Sequence, residues 1–399
     1  VNTENMTNQE TKDLSDVMAN VDALDVSAMM DVEASPSPLQ ISGAFGNRSK
    51  GKREEALKDY SYGKGALTER AVLKALLWLK EHQSEDGHWA PKHQEAMTGL
   101  GLLTFLAHGE TPQSDEFGVT VRKAIQWLVN HMLEKKGHGR GYSHGIATYA
   151  LCEAYALTNK LPVIKPAMER GLRMIVNGQQ PRGGWNYKYA KGDRWDLSVS
   201  GWQIQALKAG YAAGAQVEGI EKAIEKSIEF VKNVTYKDGK FGYSSAGSGS
   251  GAMQGAGTLA LQLLGEGDSP EAEAGVENIS ENHPVVWNED KEHRLHRHPS
   301  YDWYYNTQAV FHGGMRYFRD WNKHFAPILV KNQKPDGHWE CPGGSKQIGA
   351  FDPYYSTTLN ALTLQVYYRY LPTYQEPEKI VKKESLFELE EDELGPVVD

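Results

Sequence analysis

Gln179-Gln-Pro-Arg-Gly183-Gly-Trp185 decides how this chain is read, because its pattern occurs three times. Gln83-Ser-Glu-Asp-Gly87-His-Trp89 and Gln333-Lys-Pro-Asp-Gly337-His-Trp339 repeat it as Q-x3-G-x-W. Weaker copies end in Gly139-Arg-Gly-Tyr142 and Gly239-Lys-Phe241-Gly-Tyr243, and the most decayed ends at Trp287 without a glycine. The anchors recur about every 50 residues, a period at which each repeat is one supersecondary unit. The motif has a local physical reading. A helix ends near the Gln, and Asp-Gly or Gly-Gly supplies the positive φ for a reversal. The Trp folds back as an apolar plug, and the Gln amide satisfies helix-end backbone groups. These residues carry fold, not chemistry.

On either side of each anchor the pattern is helical. Ala71, Ala75, Leu76, Leu79 and Val121, Ile125, Leu128, Val129 fall at amphipathic spacing before two of the anchors. Pro327 is expected to cut the sixth of these polar-faced helices short. After each anchor comes a helix rich in Gly, Ala and Leu and poor in charge: 95–107, 144–157, 197–213, 252–264, 302–318 and 354–370. A charge-poor helix is buried over most of its surface. Two helix classes in six alternating pairs predict an all-α fold, a closed α/α toroid with an inner and an outer ring. An open solenoid would carry amphipathic helices throughout.

Of 399 residues, 43 are Lys or Arg and 52 are Asp or Glu, a formal charge of −9. Residues 1–40 hold eight acids and one base, and residues 371–399 hold nine acids and three bases. The acidity therefore belongs to the ends, and the body is mildly basic. The ends lack an apolar pattern that would offset ordering entropy, which predicts disorder. The expected organisation is an acidic segment and linker over 1–66, a toroid over 67–374 and an acidic tail over 375–399. No run of about 18 apolar residues spans a membrane. Two cysteines exclude a disulfide framework, and the acidic balance argues against a nucleic-acid partner. The first residue, Val1, points to a processed form or a fragment, with a signal or an N-terminal anchor removed.

The three Q-x3-G-x-W turns resemble the QW motif of the squalene–hopene and oxidosqualene cyclases. The paired-helix period resembles the α/α toroid of terpenoid cyclases and protein prenyltransferase β-subunits. Ser200-Gly-Trp-Gln-Ile-Gln-Ala-Leu-Lys208, Trp303-Tyr-Tyr-Asn-Thr-Gln308 and Leu364-Gln-Val-Tyr-Tyr-Arg-Tyr-Leu-Pro372 are similar to bacterial prenyltransferase/squalene-oxidase repeat proteins. That resemblance implies a terpenoid-cyclase-like activity, of the isomerase or lyase kind, on an isoprenoid or other apolar ligand. It also implies an extracytoplasmic or membrane-tethered location.

The chain departs from the pattern at its chemistry. The Asp-x-Asp-Asp acid motif of protonating cyclases is absent, and the nearest approach is Asp193-Arg-Trp-Asp196. Asp196, Asp302 and Asp352 each sit where an inner helix begins, so each reads first as an N-cap and second as an acid. Neither the Asp-Asp-x-x-Asp that binds Mg²⁺ nor a zinc-binding Asp-x-Cys occurs, so no cofactor and no metal is expected. Cys152 reads as a buried small residue. His293, His296 and His298 are interleaved with Arg294 and Arg297 and read as a basic loop.

Candidate site residues come from polar-aromatic stripes on the inner helices. Tyr301, Tyr305, Gln308 and His312 fall on one face, as do His144, Thr148, Cys152 and Tyr155. Asp196, Ser200 and Gln203 form a third set, and Tyr354 and Thr358 begin a fourth. Asp196, Asp302, Tyr305 and His312 are the candidate catalytic groups. The candidate binding groups are His144, Trp195, Ser200, Gln203, Tyr301, Trp303, Tyr304, Gln308, Tyr354 and Thr358. Three functions fit: a cyclase-like enzyme with an aromatic cavity that steadies cations, a non-catalytic ligand-binding scaffold, and a polysaccharide-lyase-like or glycan-binding toroid.

Overall fold

The computed structural model describes residues 58, 61, 65–134, 139–287, 299–342 and 352–367. Both acidic ends and the His293–His298 loop lie outside them. Twelve α-helices are present among the described residues: α1 Gly65–Glu81, α2 Gln94–His108, α3 Gly118–Glu134, α4 Gly141–Leu157, α5 Lys165–Gly178, α6 Leu197–Ala212, α7 Ile220–Glu229, α8 Gly251–Leu263, α9 Pro270–Asn282, α10 Pro299–His312, α11 Met315–Lys331 and α12 Tyr354–Leu364. Among the described residues strand is limited to the hairpin β1 Tyr236–Lys237 and β2 Lys240–Phe241. No helix among the described residues is long and apolar enough to cross a membrane.

Even-numbered helices form a closed inner ring, each packing on its neighbours in chain order and α12 returning to α2. They are buried nearly all round: in α4 every residue but Tyr142 is buried. Odd-numbered helices lie outside with one buried stripe, such as Val121, Ala124, Ile125 and Leu128 of α3. The closed toroid expected from the two helix classes is the fold observed.

The turns show why the pattern repeats. The indole Nε1 of Trp89, Trp185 and Trp339 each donates at 2.8 Å to a carbonyl ten residues back, on Leu79, Ile175 and Leu329. Each Trp backbone N–H bonds a side-chain hydroxyl of the next inner helix, Thr98, Ser200 or Thr357. Each Gln amide makes the same two bonds, and that of Gln179 also reaches Ser227 Oγ. One bond closes its own turn at Gly87, Gly183 or Gly337. The other reaches the next outer helix at Thr120, Ala223 or Ala71. The glycines have φ between +93° and +107°. A β-carbon on any of them would overlap the carbonyl of Lys123, Lys226 or Lys74 on that same helix. Thus the motif staples one outer helix to the next, and Gln333 closes the ring by bonding Ala71 of α1.

Several local expectations change. In the fourth repeat the plug is Phe241, fully buried with its N–H on Gln254, while Tyr243 is 40% exposed. Tyr142 belongs to the first turn of α4. The fifth inner helix ends at His312, not 318, because Gly313-Gly314 follow and α11 starts at Met315. Pro327 does not shorten α11. It is exposed, so the Lys323 carbonyl that loses its helical partner faces solvent.

Candidate functional site

All six inner helices run in the same direction, so their N-termini share one end of the ring, which we call the mouth. Helix N-termini carry partial positive charge, and acids collect there. Glu95 lies in the first turn of α2, Asp302 in that of α10, Asp196 caps α6, and Asp352 precedes α12. Asp196 accepts from Val199 N at 3.2 Å and from Ser198 Oγ at 2.5 Å, which is cap geometry. Asp352 accepts from Ser356 Oγ and Cys341 N, and burial raises its carboxyl above the usual range.

Tyrosines surround these acids. Tyr142 donates to Ser198 Oγ, and Tyr301 donates to the Ser198 carbonyl at 3.0 Å. The hydroxyl of Tyr243 lies 3.1 Å from that of Tyr187 and also bonds Asp196. Tyr355 lies within the field of Asp302 and Asp352. Burial, then neighbouring negative charge, holds the phenols of Tyr142, Tyr243 and Tyr355 protonated. They are therefore neutral hydroxyls across the physiological range. Tyr187 is 41% exposed and Tyr243 40%, so the cluster opens to solvent.

Deeper in, side chains from α6 and α10 meet although those helices are not neighbours in the ring. Trp202 stacks on Tyr304 at 5.4 Å and meets Tyr305 edge-on at 5.6 Å. Gln205 Nε2 donates to the Tyr305 hydroxyl at 3.0 Å, and Tyr304 donates to Gln205 Oε1 at 3.1 Å. These contacts cross the centre, so the ring is plugged at this level.

Other candidates are turned away from the centre. His144 Nε2 is 3.0 Å from the Gly171 carbonyl on outer helix α5, and Thr148 abuts Gly171. Tyr155 feels Glu169 of the same helix, and Cys152 approaches the Ala206 carbonyl. That stripe of α4 is one phase off and faces outward. Ser200 bonds the Trp185 turn, and Gln203 joins the Gly141 carbonyl to the Tyr189 hydroxyl. Trp195 packs on Phe230, Trp303 on Trp287, and Tyr354 on Trp78 of α1. Thr358 donates to carbonyls of its own helix, and so does Gln308 through its amide. His312, half-buried beside Phe311, ends α10. Ten residues of helix, about 15 Å, separate it from Asp302, so the two do not act on one bond.

Asp196, Asp302, Tyr301, Tyr304 and Tyr305 are the candidates that the fold brings to the mouth and centre. Tyr142, Tyr187, Tyr243, Tyr355, Trp202 and Gln205 join them and were not in the sequence-derived set. A signal for the right phase was present. Gly145, Gly171 and Gly210 mark faces pressed onto neighbouring helices, so bulky residues on the opposite side point to the centre. Among the described residues no group of three or more His, Cys, Asp and Glu could hold a metal ion.

No protein-family model matches the chain, and no curated protein matches it. Solved structures do. An α-1,6-mannanase from Salegentibacter sp. HEL1_6 is 13% identical with a TM-score of 0.55, covering 75% of this chain and 98% of that one. A type II terpene cyclase from Scytonema, in complex with geranylgeranyl dihydroxybenzoate, is 13% identical with a TM-score of 0.50, covering 78% and 99%. A protein from Actinoplanes is 12% identical with a TM-score of 0.51, covering 76% and 99%. At such identities the likeness speaks for the fold alone, and that fold is the α/α toroid shared by terpene cyclases and glycosidases.

Proposed function

We propose that the protein is a ligand-binding toroid that seats a polyhydroxylated ring, a glycan unit, on the tyrosines of its mouth. One observation carries this reading. Every large aromatic residue assigned to the mouth bears a hydroxyl, and two of them, Tyr187 and Tyr243, are about 40% exposed and bonded to each other. A phenol offers a flat apolar face for a sugar ring together with a donor and acceptor for its hydroxyls. Asp196 and Asp302 add acceptors. Asp196 is held as a helix cap, so binding, not hydrolysis, is the role assigned to it.

A second reading keeps the cyclase-like activity on an isoprenoid. It is supported by the aromatic cluster of Trp202, Tyr301, Tyr304 and Tyr305 below Asp302, a setting that favours cationic intermediates. In that case Asp302 is the acid and Tyr305 a cation-stabilising wall. The Q-x3-G-x-W turns would then be QW turns of a bacterial squalene-cyclase-like protein, and the acidic ends spacers of an extracytoplasmic or tethered molecule.

Saturation-transfer NMR separates the two, with α-1,6-mannotetraose and geranylgeraniol as probes. The glycan reading expects transfer to the mannoside ring protons, removed in a Tyr187→Ala, Tyr243→Ala double variant. Transfer to geranylgeraniol alone, sensitive to Trp202→Ala, would select the cyclase reading.

A further inference from the structure

The hydrogen bonds at the mouth have a direction, and it decides which ligand charge fits. Asp196 is the end point of two chains of hydroxyls. In the first, Ser198 Oγ gives its one proton to Asp196 Oδ1 at 2.5 Å, so the bond between Ser198 Oγ and Tyr142 is donated by the phenol. In the second, the Tyr243 hydroxyl bonds Asp196. A carboxylate only accepts, so the Tyr243 proton points to it. The Tyr187 hydroxyl, 3.1 Å from that of Tyr243, is then the donor of their bond. Both chains therefore run their protons toward Asp196. Each begins at a phenol, Tyr142 or Tyr187, whose proton is spent and whose oxygen keeps its lone pairs. The two rings meet edge to face at 5.4 Å, and Tyr187 is exposed, so the two acceptors stand together at the open end. A hydroxyl chain that ends on a carboxylate polarises each of its members, which strengthens its first oxygen as an acceptor.

The charge behind these acceptors is not cancelled by an ion pair. Asp196 is held by Val199 N, Ser198 Oγ and Tyr243, and Asp352 by Ser356 Oγ and Cys341 N, all neutral donors. Among the described residues no lysine, arginine or histidine pairs with either. Asp302 adds its charge beside Tyr355. Such a mouth repels uronate, sulfate and phosphate groups on a sugar. It favours a group that brings donors and positive charge. A sugar hydroxyl donates one proton and carries no charge, whereas an ammonium donates three and carries one. The faces of Tyr142 and Tyr187 add cation–π attraction. We propose that, within the glycan reading above, the unit seated at the mouth is an amino sugar, its protonated amine donating to the Tyr142 and Tyr187 oxygens in the field of Asp196.

The test is isothermal titration of the full chain with three β-1,4-linked trisaccharides that differ only at C2: those of glucosamine, N-acetylglucosamine and glucose. It is run at about pH 6, where such an amine is protonated. We expect the glucosamine trisaccharide to bind at least about tenfold more tightly than the glucose one, and the N-acetylated one, which has lost the charge, to lack that advantage. The advantage should shrink as salt rises from about 0.05 to about 0.5 M. It should shrink also in Asp196→Asn, which keeps a capping side chain and removes the charge. Glucosamine bound no more tightly than glucose or N-acetylglucosamine, or an advantage indifferent to salt, would overturn the amino-sugar assignment. So would binding of none of the three while α-1,6-mannotetraose binds, and in each of these cases the glycan reading stands. Binding of none of the four would overturn both. The comparisons of ligands and of salt use the wild-type protein, so they hold whether or not Asp196→Asn folds.

Discussion

The stapling turns and the mouth are built from the same kinds of residue, aromatic rings beside polar groups, yet they do opposite work. In the turns the Gln amide and the Trp indole are spent inside the molecule: Gln179 donates to Gly183 and Ala223, and Trp185 to Ile175. In the mouth the tyrosine hydroxyls bond one another and a helix cap, but Tyr187 and Tyr243 keep a face in solvent. The difference teaches that a polar-aromatic stripe identifies a site only where the geometry leaves part of it unspent. Changes in the turns should alter stability and leave binding alone. Changes at the mouth should do the reverse.

The comparison is broken most severely at Trp185. Trp185→Ala removes a fully buried indole and its hydrogen bond and should lower the unfolding free energy by about 3–5 kcal/mol in urea titration. Next is Gly183→Ala, where a β-carbon meets the Lys226 carbonyl at φ +93°. It should cost about 1–3 kcal/mol by the same measurement. Gln333→Ala unties the last outer helix from the first and should cost about 1–3 kcal/mol. Its effect should also appear as faster amide hydrogen exchange in α1 and α11 before other helices. Asp196→Asn, at the border between the two regions, should cost about 1 kcal/mol as a weakened cap. Ligand affinity should also fall, because the mouth loses a charged acceptor. Smallest of all, Tyr243→Phe should change stability by less than about 0.5 kcal/mol while weakening glycan binding. If Tyr243→Phe destabilised as much as Gln333→Ala, the mouth would be structure of the same kind as the turns.

The fold was legible because the turn writes itself into three residues at fixed spacing. The Gln fits two carbonyls, the Gly a positive φ against a neighbouring helix, and the Trp a carbonyl ten residues back. None of these tolerates much else. The site was half legible. Asp302, Tyr301 and Tyr305 were found because α10 carries an unbroken tyrosine stripe. The phase of α4 and α12 was missed because helices buried all round have no polar face to orient them. On α4, His144 and Thr148 serve α5, and Tyr142 and Tyr149 take the inner side. On α12, Tyr354 packs outward on Trp78 and Tyr355 turns in. In the fourth repeat Phe241 displaced Tyr243 as the plug, which released Tyr243 to the mouth.

Isothermal titration with α-1,6-mannotetraose tests the central claim most directly, comparing the wild type with the Tyr187→Ala, Tyr243→Ala variant. The account predicts saturable binding by the wild type and at least tenfold weaker binding by the variant, with both unfolding at the same urea midpoint. Equal binding by the two proteins, or none by either, would contradict it.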